Sequence, residues 1–154
     1  MAIWQLVFPL ALILVGITAF AQVVHSEKTN SGRQSLQKLD YDSACRDFID
    51  AANEGDAAAM TLVGTCYENG QRFPKNEETA AQWYRRSAEA GNTVGMRYYA
   101  DMLFRGRGIS RNFEEAARWY SVAAEAGDVE AQYQIALLYA MGIGVPADPS
   151  KATD

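Results

Sequence analysis

The sequence predicts an all-α protein: an α-solenoid of helix-turn-helix repeats with a 36-residue period, preceded by an N-terminal hydrophobic leader helix. Two similar segments, WYRRSAEAGN at 83–92 and WYSVAAEAGD at 119–128, lie 36 positions apart. A two-helix unit cannot bury its apolar face alone, so stacked copies bury it against each other. Positions that share the register include Gly55, Gly91 and Gly127; Gly70, Gly106 and Gly142; and Ala52, Ala88 and Ala124.

The first 24 residues carry no charged side chain. About 20 apolar residues can span a bilayer, and Ala19, Phe20 and Ala21 form a small-x-small cleavage site before Gln22. Neither Lys nor Arg precedes the apolar run, which is longer than a typical signal-peptide core. We expect residues 1–24 to be a signal peptide or a membrane anchor and favour export. Anchoring through residues 3–24, or burial of the segment in the fold, is the alternative.

The remaining chain divides by the repeat register. Apolar or small residues recur at i, i+1 and i+4 in each unit, for example at Val63, Gly64 and Tyr67, which gives each first helix one packing face. First helices are predicted at 57–69, 93–105 and 129–141, and second helices at 77–90 and 113–126. We assign residues 25–39 to a linker and the start of a capping helix, and residues 40–154 to the repeat domain. The repeat domain begins with the capping helix at 40–54. Its units are 57–92, 93–128 and 129–154, of which the last is incomplete.

Polar residues mark where these helices begin. Asn76 and Asn112 are suitable N-caps with glutamates in the following turn, where the helix dipole favours negative charge. Glu115 follows Asn112 at the capping-box spacing. At the unit boundaries a C-terminal glycine is followed at once by Asp or Asn, as in Gly55-Asp56. Such a junction predicts that consecutive helices fold back antiparallel.

These motifs resemble the Sel-1-like repeat, a relative of the tetratricopeptide repeat. The segments AQYQIALLYAMGIGV (131–145) and EEAARWYSVAAEAGD (114–128) fit the two halves of that family's unit. The chain departs from the pattern at Arg72, which replaces a loop glycine, and at Gly95, Ala100 and Leu103. The last unit stops before its expected Trp-Tyr pair. The chain is therefore a fragment, which we favour, or ends on an incomplete unit.

Two cysteines, Cys45 and Cys66, lie 10 residues before and 11 residues after Gly55. In an antiparallel hairpin both would lie roughly 15 Å from the turn, at about 1.5 Å per residue, and would face each other. A structural disulfide would point to an oxidising compartment. The alternative is a pair of small buried residues at a helix interface.

Composition and motifs exclude several functions. The net charge of -5 argues against nucleic-acid binding, which requires a basic face. The single His25 lies outside the repeats, and two cysteines do not complete a zinc site. Paired glutamates such as Glu114 and Glu115 are expected on solvated first turns, and we identify no catalytic constellation. The predicted protein is not an enzyme and requires neither a metal nor a cofactor.

The candidate site is therefore a surface. In superhelical stacks of this kind the first helix of each pair lines the concave side. Its positions outside the core face differ between units, as recognition of a non-repetitive partner requires, and exposed aromatic and Arg residues are common binding anchors. Ordinary solvated surface is the alternative for any single residue. The predicted partner-binding residues are Arg97, Asp101, Phe104, Arg105, Tyr133 and Leu137.

Two functions follow from the resemblance. It implies a non-catalytic scaffold or adaptor of the bacterial envelope or secreted type, which binds a protein or peptide on its concave face. The alternative is an envelope protein that binds or hydrolyses cell-wall material such as peptidoglycan fragments. Either protein is expected to be periplasmic, secreted, or held at the membrane by an uncleaved leader.

Overall fold

The computed structural model of the protein describes residues 27–150, and the predicted leader at 1–24 lies outside them. The described residues form helices joined by turns and contain no strand. None of these helices has the length and apolar character needed to cross a membrane. The helices are α1 (27–37), α2 (Tyr41–Asn53), α3 (Ala57–Asn69), α4 (Glu77–Glu89), α5 (Thr93–Arg105), α6 (Phe113–Glu125) and α7 (Val129–Met141).

Helix ends follow the predicted capping residues. The side chain of Asn76 accepts a hydrogen bond from the backbone N–H of Thr79, at 2.9 Å. Asn112 and Glu115 form the reciprocal pair of a capping box. The first helices have the predicted bounds, whereas α4 and α6 end one residue earlier than predicted. The caps therefore set the helix limits.

Each helix packs on the next, and α3 also contacts α5 directly. Tyr84 of α4 and Tyr120 of α6 are the largest fully buried side chains. Gly64 makes room for the first of them, because a Cβ atom there would lie 2.4 Å from the Tyr84 ring. The repeated tyrosine thus fills the space between successive first helices, as the repeat predicts.

The tryptophans of the repeated Trp-Tyr pairs are less buried than the tyrosines that follow them. Trp83 and Trp119 are only half-buried and pack at the edges of the two apolar clusters. Adjacent residues on a helix point about 100° apart, so the tyrosine and the tryptophan cannot both point into the same interface.

A helix also replaces most of the predicted linker at 25–39. Gly32 of α1 packs against the Phe48 ring as Gly64 packs against the Tyr84 ring. The turn between α1 and α2 (38–40) is four residues shorter than the one between α3 and α4 (70–76). The first helix pair therefore resembles a repeat unit with a shortened turn, and this turn shifts its register away from 36 residues.

The predicted disulfide between Cys45 and Cys66 is present, with a Cα–Cα distance of 6.1 Å. It joins α2 to α3, and both cysteines are buried. The first complete unit is thus covalently tied to the helix pair before it.

Candidate protein-binding surface

The predicted partner-binding residues all lie on the first helices α5 and α7. The structure separates them into two groups. Arg97, Asp101 and Phe104 make contacts within the fold, whereas Arg105 and Tyr133 are exposed and Leu137 is half-buried. A partner that bound Arg97, Asp101 or Phe104 would have to replace a contact within the fold, so the second group is the more accessible one.

Arg97 connects α5 to the start of α7. Its Nε donates to the carboxylate of Asp128, at 3.2 Å, and its guanidinium lies over the Tyr98 ring, 4.6 Å from the centroid. Burial disfavours the charged guanidinium, but the Asp128 carboxylate outweighs this effect and raises the pKa of Arg97. Since Asp128 also caps α7, Arg97 helps to fix the angle between two units.

Asp101 accepts a hydrogen bond from the hydroxyl of the buried Tyr120. Burial raises the pKa of this carboxyl group, although the hydrogen bond and the nearby Arg97 and Arg105 act in the opposite direction. Burial and the carboxylate also raise the pKa of Tyr120, so its hydroxyl keeps its proton. Asp101 therefore supports the core of its own unit.

Phe104 packs against Phe113, with 5.2 Å between ring centroids, and holds the loop between α5 and α6. Tyr133, which is 59% exposed, presents most of its ring to solvent. Arg105 is exposed at the end of α5, and Leu137 lies on the half-buried side of α7. Truncating Phe104 would disturb the loop as well as the surface.

Sequence reasoning missed a small cleft of about 120 Å³ between α1, α3 and α5. Arg33 of α1 lines it, together with Leu62 and the N-cap residue Asn92. The buried Thr61 hydroxyl also lines it and lies 2.7 Å from the hydroxyl of Ser87. Arg33 was missed because its helix lies in the segment assigned to a linker. The match between Gly32 and Gly64, 32 rather than 36 positions apart, is the signal that identifies it.

The loop before α6 contacts α4 through an ion-pair network. Arg107 donates to Glu68 and Glu77, at 2.8 and 3.0 Å, and Glu68 also accepts from the Tyr84 hydroxyl, at 2.6 Å. Hydrogen bonds from Arg107 and Lys75 lower the pKa of Glu77. Both carboxylates are therefore engaged in contacts that hold the loop before α6 against α3 and α4. Among residues 27–150, no cluster of His, Cys, Asp or Glu could hold a metal ion.

Stacked helix pairs and a divergent exposed surface define a helical repeat protein. The sequence model of the Sel1 repeat matches residues 57–92, 93–128 and 129–153. The chain therefore belongs to the Sel1 repeat family, whose members are typically non-catalytic scaffolds for protein–protein interactions.

Solved structures agree with this assignment. A Sel1 repeat protein from Oxalobacter formigenes is 30% identical with a TM-score of 0.77, and the match covers 80% of this chain and 51% of that one. A protective antigen with an SLR fold from uropathogenic Escherichia coli is 29% identical with a TM-score of 0.78, over 83% and 28% of the two chains. The chain thus spans about half or less of these relatives.

Cysteine-rich protein B of Helicobacter pylori shares the fold at 17% identity and a TM-score of 0.64, over 75% of this chain and 88% of that one. No curated protein matches the chain. The predicted all-α solenoid is confirmed.

Proposed function

We propose that this protein is a non-catalytic scaffold of the cell envelope, which binds a protein or peptide on the concave face formed by its first helices. The proposal rests on how the units diverge. Val63, Tyr99 and Ile135 occupy equivalent positions and are all buried. Two residues earlier, the same helices carry Thr61, Arg97 and Tyr133.

Among these three residues only Tyr133 is exposed, so the part of the divergent surface open to a partner lies on α7 and the end of α5. Tyr133 adds an exposed aromatic ring at one end of the face, and Arg105 adds a positive charge at the end of the neighbouring helix. Aromatic residues and Arg are enriched among residues that dominate binding energy. A partner segment with an acidic residue near an apolar one would complement both.

Two observations support an envelope location. The Cys45–Cys66 bridge is typical of proteins that fold in oxidising compartments, and residues 1–24 have the apolar composition of an export or anchoring segment. The similar Escherichia coli protein is described as a protective antigen. Intact mass of the protein from the envelope fraction would report both cleavage before Gln22 and the oxidation state of the cysteines.

The binding proposal is tested with the full-length protein immobilised against envelope extract. Tyr133→Ala combined with Arg105→Ala removes exposed side chains and should leave thermal unfolding unchanged. We expect the captured partner to bind about tenfold more weakly to this variant. Glu125→Ala, an exposed change on α6, is the matched control and should retain binding. Equal capture by both variants would place the binding surface elsewhere.

A second assay, run beside the capture from envelope extract, distinguishes the scaffold from the cell-wall alternative. Purified muropeptides are titrated into the wild-type protein and assayed for hydrolysis in parallel with the protein capture. The scaffold proposal expects no turnover and no saturable muropeptide binding. Hydrolysis that one carboxylate substitution abolishes would overturn it in favour of an envelope enzyme.

A further inference from the structure

Trp83 and Trp119 recur at the 36-residue period, but different side chains lie over or beside their rings. The guanidinium of Arg86 lies over the Trp83 ring, 4.1 Å from its centroid. The residue at the Arg86 register in the next unit is Val122, which is apolar and 45% exposed. Trp119 therefore lacks the cationic cover that its counterpart receives from within its own helix.

An open cleft of about 320 Å³ lies over Trp119, lined by Glu115, Arg118 and Val122. Tyr99 contacts the indole edge-on, with 5.8 Å between centroids, and holds the ring in place from the fold side. The half-buried ring is also one of the residues that line the cleft. The site thus combines a fixed indole surface, an apolar contact and a carboxylate.

We propose that the Trp119 cleft binds an arginine side chain of a basic segment on a protein partner. The chain itself supplies the precedent, because the equivalent indole already holds a guanidinium through a cation–π contact. Glu115 provides a negative charge beside the ring, and its carboxylate can accept more hydrogen bonds than the two it receives from Tyr99 and Asn112.

The overall charge of the chain favours a basic partner over a neutral one, although Glu115 and Arg118 offset each other within the cleft. The chain has a net charge of -5, which raises the local concentration of cationic segments at low ionic strength. Arg118 lines the same cleft and opposes an incoming cation, so it limits affinity. The site is on the exposed face of α6, and it is independent of the surface proposed above on the first helices.

The test uses the full-length oxidised protein in a neutral detergent and an end-blocked pentapeptide of sequence Arg-Gly-Arg-Gly-Arg. Binding is followed by NMR through the indole N–H resonance of Trp119, which the spectrum of Trp119→Phe identifies. A peptide with citrulline in place of arginine has nearly the same shape without the charge. We expect the arginine peptide to bind about two- to fivefold more tightly than the citrulline peptide.

Two reciprocal variants exchange the coverings of the tryptophans. Val122→Arg should place a guanidinium over Trp119 and weaken peptide binding about two- to fivefold. Arg86→Val should uncover Trp83, so a second indole resonance should shift during the titration. Arg118→Gln should strengthen binding by removing the opposing charge.

Equal shifts with the citrulline peptide would overturn the proposal, since charge would then play no part. Unchanged affinity in Val122→Arg would also overturn it. Thr79 occupies the register of Glu115 beside Trp83, so the Trp83 resonance in Arg86→Val should respond more weakly than that of Trp119. Because Val122 and Arg86 are exposed, these changes should leave the unfolding temperature unaltered. A failure here would leave the first-helix surface untouched, since none of its candidate residues is changed.

Discussion

The two complete units, 57–92 and 93–128, bury a tyrosine at the same register but give its hydroxyl different acceptors. Tyr84 donates to Glu68, which Arg107 also neutralises. Tyr120 donates to Asp101, and Phe104 takes the register of Glu68. The acceptor has moved one helical turn along the same face. In both units the buried tyrosine hydroxyl therefore has a carboxylate acceptor, but the position of that acceptor in the repeat differs.

The units also differ where their second helices meet the next first helix. Ser87 donates to the carbonyl of Ala57, at 2.6 Å, and lies against Gly95. The following unit has Ala123 and Ala131 at the registers of Ser87 and Gly95. A hydroxyl beside a glycine in one unit therefore corresponds to two methyl groups in the other.

The first unit alone has a covalent tie, and removing it should have the largest effect. Cys45→Ala combined with Cys66→Ala should lower the free energy of unfolding by about 3 kcal/mol, because the bridge closes a loop between residues 21 positions apart. Chemical denaturation with and without a reductant measures the effect. The variant and the reduced wild type should agree closely. A loss of the same size that persists when both proteins are reduced would assign the effect to side-chain packing.

The connecting loops provide the next comparison. Gly108 has φ +68°, and a Cβ atom there would lie 2.2 Å from the carbonyl carbon and oxygen of Glu77. Gly108→Ala should cost about 2–3 kcal/mol through this overlap and the backbone strain.

Arg72 occupies the same register in the first unit at φ +63° and pairs with Asp42, at 2.7 Å. Arg72→Gly is the matched variant. It relieves strain but loses an exposed ion pair and adds chain entropy, so stability should change by less than about 1 kcal/mol. Thermal denaturation of both variants tests the contrast, and equal losses would contradict it.

The tyrosine acceptors predict an effect that depends on pH. Tyr120→Phe should cost about 2 kcal/mol at neutral pH, because it leaves the Asp101 carboxylate partly buried without its hydrogen bond. Tyr84→Phe should cost about 1 kcal/mol, since Glu68 keeps Arg107.

The direction with pH follows from the raised pKa of Asp101. The folded state binds the proton more tightly than the unfolded state, so stability increases as the pH falls through that pKa. The hydrogen bond from Tyr120 lowers the pKa of Asp101, so its loss raises that pKa further and makes stability depend more strongly on pH. The cost of Tyr120→Phe should therefore shrink in acid, and Asp101→Asn should remove that change. A cost that is constant with pH would contradict the assignment.

The smallest effect is expected where the hydroxyl meets the glycine. Gly95→Ala alone should cost about 1 kcal/mol, because the new Cβ atom would lie 2.3 Å from the Ser87 hydroxyl. Added to Ser87→Ala, the same change should cost less, because the hydroxyl overlap is gone, but it should not become neutral, since the Cβ atom of residue 87 would still lie 2.6 Å from the new one. A double-mutant cycle measures the coupling. Strict additivity would mean that the two positions do not share this space.

Features that repeat could be predicted from the sequence, and features that depend on one unit could not. The first helices and their caps recur at fixed positions, so a single register locates them. The disulfide could be predicted because Cys45 and Cys66 lie nearly the same number of residues from the turn at Gly55. The partners of Arg97 and Asp101 could not be predicted, because each partner lies on another element and the first unit has Thr61 and Thr65 at the equivalent positions.

Two further failures have physical causes. A repeated Trp-Tyr pair does not reveal which member points inward, and the structure assigns the interior to Tyr84 and Tyr120. The helix at 27–37 was missed because its turn is four residues shorter than those of later units, which places it outside the 36-residue register.

The bridge between α2 and α3 makes the stability of the helix stack unequal along its length. In a stack where each unit touches only its neighbours, partial unfolding starts at the end that is held least firmly. Cross-linking protects the helices that it joins, so the amides of α3 near Cys66 should exchange more slowly than the equivalent amides of α5. Limited proteolysis should likewise spare the cross-linked pair of helices longest.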